Sequence, residues 1–164
     1  GISLISMHTN LDAASGGVND TLCETLELLN VHGFSPIEDY GYEARFGTLS
    51  SPVTADGFAE FIKEKLGGTV KYIDGGQKIK TVCVCSGSGG SLLREAVATG
   101  AEAFVTGDVK HSVFLEAQRN KISLFDAGHW NTENIIIDKL SQLLRENFSQ
   151  VNVLPFCHKS IKFC

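Results

Sequence analysis

Short apolar segments alternate with helix-like segments from residue 79 onward, and this alternation limits the possible folds more than any other feature of the chain. The pattern predicts strands over 81–85, 103–106, 122–126 and 151–156, separated by helices over 91–98, 112–119 and 132–148. Strands joined through helices in this way form a parallel sheet that is covered on both faces. The predicted fold class is therefore α/β, with a mostly parallel sheet flanked by helices.

The first half of the chain has a less regular pattern. It predicts a strand over 2–7, a helix over 20–30, a helix over 54–66 that ends at two glycines, and a strand over 70–73. We place a domain boundary near residue 35. Residues 1–35 would be the remnant of a first α/β domain, and residues 36–164 a C-terminal α/β domain.

Composition and charge exclude several classes of protein. The 164 residues are 43% hydrophobic, enough for a real core, and carry a net charge of −5 without a cluster of Lys and Arg. This balance argues against a nucleic-acid partner. No apolar run reaches the roughly 18 residues of a membrane span, and no leader precedes a cleavage site, so we expect a cytoplasmic protein without a membrane partner.

The cysteines indicate a reducing environment. They are odd in number, and Cys83 and Cys85 would share one face of a strand. Buried reduced thiols fit this pattern better than a disulfide framework. The five positions are Cys23, Cys83, Cys85, Cys157 and Cys164.

Ligands of a parallel sheet gather beyond the carboxyl ends of its strands, where three glycine-containing segments fall. Residues 87–91, GSGGS, open a helix after a strand, but Leu92 replaces the third glycine of a dinucleotide-binding loop. A tight structural turn and an anion site both remain open for this loop. Asp108, at the next strand end, would by default cap the following helix, with support of a catalytic site as the alternative.

Two His–carboxylate pairs have the i, i+4 spacing that brings side chains together on a helix: His8 with Asp12, and His129 with Glu133. Capping would account for Glu133, and a turn would account for Asp12, but neither explains the histidines. The spacing also arises by chance. If the fold brought the pairs together, they could bind a metal ion.

Four ordered segments resemble a known family. HTNLD at 8–12, VCSGSG at 84–89, TGDVK at 106–110 and DAGHWNTE at 126–133 are similar to motifs of the Nif-three-like dinuclear metal centre family, often labelled GTP cyclohydrolase I type 2 homologues. The resemblance spans nearly the whole chain. It implies a Nif-three-like fold in which, for this chain, the second small domain is incomplete.

The resemblance also implies a site. Two divalent ions, which could be zinc, iron, manganese or nickel, would be held between two α/β domains of a homohexamer. By position, Asp12, His129 and Glu133 would be metal ligands, and His8 a nearby catalytic residue suited to proton transfer. Relatives carry a further His-His pair upstream, which the chain lacks, so we expect it to be missing an N-terminal third and two imidazoles.

The function implied by this resemblance is metal-assisted hydrolysis, with a purine nucleotide such as GTP as the small-molecule substrate that the family label suggests. An alternative from another class is a non-catalytic, metal-binding hexameric scaffold or interaction protein. A nucleotide-binding domain that uses residues 87–90 is a weaker third reading, because no acidic ribose-binding residue follows at a suitable distance.

Overall fold

The computed structural model describes residues 1–38 and 41–156. Within these ranges, helices and strands alternate irregularly in the first half and regularly in the second. The helices are α1 (Thr9–Ala13), α2 (Val18–Thr25), α3 (Ala55–Leu66), α4 (Leu93–Ala98), α5 (His111–Arg119), α6 (His129–Glu133) and α7 (Ile136–Asn147). The strands are β1 (Leu29–Ile37), β2 (Gly41–Val53), β3 (Lys71–Ile73), β4 (Ile79–Val84), β5 (Ala103–Thr106) and β6 (Ser123–Asp126).

The strands form one mixed sheet in the order β1-β2-β4-β5-β6-β3. The central strands β4, β5 and β6 are parallel, as the alternating pattern predicts. The flanking pairs β1–β2, β2–β4 and β3–β6 are antiparallel. The α/β class with helices around a sheet is thus confirmed, but the parallel arrangement is limited to the centre.

Both faces of the central sheet are buried. Along β4, Val82 and Val84 belong to the core that contacts α2 and α3, whereas Cys83 belongs to the core that contacts α4 and α5. This is the two-residue alternation of a strand covered on both sides. On the first face, Phe58 of α3 meets Phe125 of β6 edge-on, with ring centroids 5.2 Å apart.

Cys85 lies on the same face as Cys83, and both are buried, as is Cys23 of α2. The three have free thiols, which confirms the expectation of buried reduced cysteines for these positions. Cys157 and Cys164 lie outside the described residues. No helix within residues 1–38 and 41–156 combines the length and apolar character needed to cross a membrane.

The helix predicted over 54–66 is confirmed, and its ends have clear local causes. The Thr54 hydroxyl accepts a hydrogen bond from the backbone N–H of Gly57 at 3.2 Å, which caps the first turn. At the other end, Gly67 has φ +72°, a conformation that glycine adopts without steric cost. The boundaries therefore follow from residues on either side of the apolar pattern.

Two predicted strands are absent. Residues 2–7 and 151–156 have no regular structure, and the side chains of Ile2, Leu4, Leu154 and Phe156 are exposed. An apolar segment becomes a strand only where a neighbour accepts its backbone hydrogen bonds. No described strand pairs with either segment, so the apolar pattern alone was misleading.

Two predicted helices have different limits. The one expected over 20–30 ends at Thr25, because Glu27 has φ +56° and Leu28 N–H bonds to the carbonyl of Cys23, a left-handed helix stop. The chain then enters β1. The long helix expected over 132–148 is divided into α6 and α7 at Asn134, whose ψ of −23° is typical of a 3₁₀ turn. The boundary near residue 35 falls within β1 and stays a prediction.

Candidate metal centre

The site residues lie at the carboxyl ends of the three parallel strands. The chain leaves β4 at Gly87, β5 at Gly107 and β6 at Gly128, and these turns contact one another directly. Gly107 N–H donates to the Gly87 carbonyl at 2.7 Å, and Gly87 N–H donates to Oγ1 of Thr132 in α6 at 3.0 Å. The parallel order therefore brings three segments that are distant in sequence to one edge of the sheet.

His129 and Glu133 form the closest pair of candidate ligands. Gly128, with φ +87°, turns the chain from β6 into α6, where its carbonyl accepts the Thr132 N–H at 3.1 Å. His129 and Glu133 stand at the two ends of α6. Nε2 of His129 lies 3.0 Å from Oε1 of Glu133. The i, i+4 spacing thus produces the contact that it predicts.

Close contacts explain why glycine occupies two positions of the glycine-rich loop, Gly87 and Gly89. It has φ +63°, and a Cβ at this position would lie 2.5 Å from Oε1 of Glu133 and 3.3 Å from Nε2 of His129. A Cβ at Gly89 would lie 2.7 Å from the Cys85 sulfur. Close approach of neighbouring groups therefore accounts for these glycines. Of the two readings that the sequence left open, the structure supports the tight turn.

Asp12 reaches the same edge through a buried amide. The Asn19 side chain is fully buried; it donates to the backbone carbonyls of Asp12 at 3.2 Å and Glu43 at 2.8 Å, and it accepts the Ser86 N–H at 2.7 Å. The Ser86 hydroxyl also donates to Oδ1 of Asp12 at 3.3 Å. Asn19 therefore ties the α1 segment to both β2 and the end of β4.

A buried arginine holds the same segment from the other side. Arg45 of β2 pairs with Asp20, and its guanidinium donates to the carbonyls of Ala13 at 3.0 Å, Ala14 at 3.3 Å and Tyr42 at 2.6 Å. Sequence reasoning identified neither Arg45 nor the anchoring role of Asn19. No local pattern signals Arg45, because β2 also carries Glu43, Thr48, Ser50 and Ser51.

Negative charge accumulates at this edge. Burial raises the pKa of the Asp12 carboxyl, and the charge of Glu133 raises it further, while the Ser86 hydroxyl and the imidazoles of His8 and His129 act in the opposite direction. The carboxyls of Asp12 and Glu133 are thus close enough to repel each other. Two such groups beside an imidazole are suited to a shared cation.

Cys85 is adjacent but stays protonated. Burial is the main cause that raises the pKa of its thiol to about 12, and nearby carboxylates add to the shift. A thiol binds metals as the thiolate. The Cys85 side chain packs in the same core as Cys83.

His8 lies immediately before α1, and its carbonyl accepts the Asp12 N–H at 3.2 Å. Its exposed ring contacts the Thr9 hydroxyl through Nδ1 at 3.0 Å and acts electrostatically on Asp12. The structure thus places His8 close enough to Asp12 to act on its carboxyl, and its Nδ1 contacts the neighbouring hydroxyl.

The candidate ligands are of residue types that bind metal ions, but they are not assembled into a site. Within residues 1–38 and 41–156, no group of three or more His, Cys, Asp or Glu side chains is arranged to hold a metal ion. His129 and Glu133 are in contact, whereas Asp12 interacts with them at longer range. Binding of a cation by all three would require adjustment of side chains or of the α1 segment.

A cavity of about 560 Å³ opens beside this edge, from Ser88 at the turn to Lys110 and Val113 at the start of α5. The backbone carbonyl of Lys110 accepts the Val113 N–H at 2.9 Å, whereas its ammonium group has no hydrogen bond or ion pair with another described residue. A larger hollow of about 690 Å³ runs along α3 and shares no residue with the site. None of the candidate ligands lines either cavity, but Ser88 and Lys110 place the smaller one at the same edge of the sheet.

Comparison with known proteins gives consistent matches. The sequence model of a family described as Duf34/NIF3 (NGG1p interacting factor 3) matches residues 1–161. A protein of Streptomyces coelicolor named "GTP cyclohydrolase 1 type 2 homolog" is 37% identical over 142 residues, which cover 80% of the chain and 50% of that protein. A Clostridium perfringens protein of the same name is 30% identical over 149 residues, covering 88% and 57%. The chain thus spans about half the length of these relatives.

Solved structures agree with these matches. A hypothetical protein of Staphylococcus aureus superposes with a TM-score of 0.81 at 27% identity, covering 91% of the chain and 63% of that protein. Reduced HcgD from Methanocaldococcus jannaschii superposes with a TM-score of 0.72 at 26% identity, covering 87% and 56%. The two superpositions thus include most of the fold described above.

Proposed function

The chain belongs to the Duf34/NIF3 family, and from this premise we propose that it is a metal-dependent hydrolase-like protein. Asp12, His129 and Glu133 would bind a divalent cation at the carboxyl ends of β4 and β6. The observation that carries this proposal is the 3.0 Å approach of Nε2 of His129 to Oε1 of Glu133, with the Asp12 carboxyl in electrostatic contact with both. Imidazole and carboxylate donors suit zinc, iron, manganese or nickel and do not select among them.

The proposed chemistry is hydrolysis. A bound divalent cation lowers the pKa of a coordinated water and so supplies hydroxide at neutral pH. The residues of the chain would orient this centre: Asn19 and Ser86 hold Asp12, and α6 holds His129 against Glu133. His8, beside Asp12, is the candidate for proton transfer. A dinuclear centre would need donors beyond these three ligands.

For the substrate we propose a purine nucleotide such as GTP. The support is the name of the relatives, together with the cavity that begins at Ser88 and carries the ammonium of Lys110. The reaction implied by that name is hydrolytic release of formate from the guanine ring. From the family resemblance we also propose that the chain associates with itself as a homohexamer. We propose the cytoplasm as its location.

Metal binding is tested by elemental analysis of the purified chain after incubation with zinc, iron(II) or manganese and removal of free metal. We expect metal in the wild type and none in Glu133→Gln, which keeps the size of the side chain but removes its charge. Glu60→Gln, at an exposed position of α3, is the matched control and should bind as the wild type does. Equal metal in all three proteins would contradict the assignment of the ligands.

Catalysis is tested by incubation of the metal-loaded chain with GTP or ATP and measurement of formate. We expect His8→Ala to retain metal and to lose hydrolysis, because it removes a proton-transfer group and no ligand. Absence of hydrolysis in a metal-loaded wild type would favour the alternative, a non-catalytic metal-binding scaffold.

A further inference from the structure

Asp108 contacts the site in a way that its place in the sequence does not explain. It follows β5 and has φ +51°, in the left-handed region that Asp tolerates better than most residues. The default expectation was that it would cap α5. This is wrong, because α5 is preceded by Lys110 and no side chain caps its first turn. Instead, Oδ2 of Asp108 lies 2.8 Å from Nδ1 of His129.

The surroundings fix both partners of this contact. A Cβ at Gly107 would lie 2.5 Å from the backbone nitrogen of His129, so the two turns pack against each other at their backbones. The buried carboxylate of Asp126 accepts hydrogen bonds from the N–H groups of Val109 at 3.3 Å and Gly128 at 3.1 Å. These two groups adjoin Asp108 and His129. One buried side chain therefore sets the distance between them.

The hydrogen-bond chemistry assigns roles to the two ring nitrogens of His129. An ionised carboxylate accepts hydrogen bonds and cannot donate one, so Nδ1 must carry the proton of the contact with Asp108. Nε2 is the nitrogen that faces Glu133, at 3.0 Å. By the same rule, Nε2 donates to the Glu133 carboxylate when no cation is bound. A cation shared with Glu133 would take the place of the Nε2 proton, whereas the proton on Nδ1 would stay with Asp108.

We propose that Asp108 is a positioning residue that fixes the tautomer and the orientation of the His129 ring, so that Nε2 acts as the metal-binding nitrogen. Such carboxylate partners commonly orient histidine ligands, and their loss weakens metal affinity by about 10- to 100-fold. The effect on affinity rests on the proposed metal-binding function. The effect on the ring depends only on the contact between Asp108 and His129.

The first test measures zinc affinity and stoichiometry in wild type, Asp108→Gly and Asp108→Asn. Glycine removes the carboxylate and tolerates the positive φ, whereas asparagine keeps an oxygen that can accept from Nδ1. We expect Asp108→Gly to bind the same number of zinc ions about 10- to 100-fold more weakly, and Asp108→Asn to recover most of the affinity. A reduced number of zinc ions in both variants would make Asp108 a ligand and overturn the positioning role.

The second test needs no metal. In a Glu133→Ala background, which removes the competing carboxylate, nitrogen NMR of the His129 ring at about pH 8.5 reports the tautomer of the neutral imidazole. We expect protonation at Nδ1, and a shift toward protonation at Nε2 when Asp108→Gly is added. An unchanged tautomer would overturn the proposal. A wild type that binds no zinc but shows the Nδ1 tautomer would refute the proposed function and support the role of Asp108.

Discussion

Single residues at the strand ends determine how closely the candidate ligands approach one another. Gly87 is the clearest case, because its missing side chain leaves room for both His129 and Glu133. Sequence reasoning located the glycine-rich loop correctly. It could not select between a turn and an anion site, because the group that approaches Gly87 comes from α6, far away in the sequence.

Gly87→Ala is expected to weaken zinc binding at least tenfold. The new methyl group would lie 2.5 Å from Oε1 of Glu133, so the carboxylate must move away from Nε2 of His129. The positive φ of +63° adds a backbone cost of roughly 1–2 kcal/mol. Isothermal titration with zinc gives the affinity, and urea unfolding gives the stability.

Gly100→Ala separates the effect of backbone strain from the effect of the contact with Glu133. Gly100 also has a positive φ, +78°, but no atom lies within 4 Å of a Cβ built there. It precedes β5 and so stands at the opposite edge of the sheet from the site. We expect a similar loss of stability with unchanged zinc affinity. Equal losses of affinity in both variants would show that backbone strain, and not the contact with Glu133, is responsible.

At the scale of elements, the position of α1 depends on polar groups that are buried beneath it. The short helix has five residues and only Ala13 is buried, so apolar packing alone holds it weakly. Arg45 contacts the carbonyls at its end, and Asn19 contacts the carbonyl of Asp12. Asp12 is therefore held near the site by hydrogen bonds from β2, from α2 and from Ser86 in the turn after β4.

Arg45→Met is expected to lower the free energy of unfolding by about 3 kcal/mol, because it leaves the Asp20 carboxylate and several carbonyls without their donor. Asp20 retains some contact with water, with 24% of its side chain exposed, which places the cost at the low end for a buried pair. Zinc affinity should fall as well, since α1 carries Asp12. Urea unfolding followed by circular dichroism measures the first effect.

Lys139→Met is the control for loss of an ion pair as such. Lys139 and Glu24 are 2.9 Å apart, with 38% and 64% of their side chains exposed. Exposed pairs contribute about 0.5 kcal/mol, so this variant should unfold almost as the wild type does. If Lys139→Met lost as much free energy of unfolding as Arg45→Met, burial would not be the reason for the large effect expected at Arg45.

The start of α3 depends on one hydroxyl. Thr54→Ala is expected to destabilise the chain by about 1 kcal/mol, because the Gly57 N–H loses its acceptor. Thr54→Ser keeps the hydroxyl and should restore most of the stability in the same thermal unfolding assay. If serine were no better than alanine, the cap would not be the cause of the loss.

At the scale of the whole molecule, buried thiols lower the free energy of unfolding when the pH becomes alkaline. Burial raises the pKa of Cys23 from 9.0 to about 12. The unfolded chain therefore releases this proton first as pH rises. The contribution of Cys23 is fully present below pH 9 and is lost as the pH rises toward 12.

We expect Cys23→Ala to flatten this part of the stability curve. At pH 10.5 the linkage relation gives a loss of about 2 kcal/mol for one such thiol. The wild type should therefore lose about that much more stability than Cys23→Ala between pH 8 and pH 10.5, measured by urea unfolding at each pH under reducing conditions. Parallel curves for the two proteins would show that Cys23 contributes nothing to the alkaline loss.

Local regularity explains which parts of the molecule could be predicted. The strands β4, β5 and β6 and the helices between them follow from apolar periodicity, and the contact of His129 with Glu133 follows from helical spacing. The strands expected over 2–7 and 151–156 failed because strand formation requires a partner. The antiparallel flanks of the sheet were missed for the same reason, since pairing direction is not a local property.

The sequence by itself determined the α/β class, the free thiols at Cys23, Cys83 and Cys85, and one pair of candidate ligands, because each depends on residues within a few positions of one another. Only the tertiary structure decided that Asp12 comes within electrostatic range of that pair and that Asp108 turns toward His129 instead of capping α5. These contacts join segments that are far apart in the chain. They form because parallel strands end at the same edge of the sheet, and because a few buried polar groups hold the turns there.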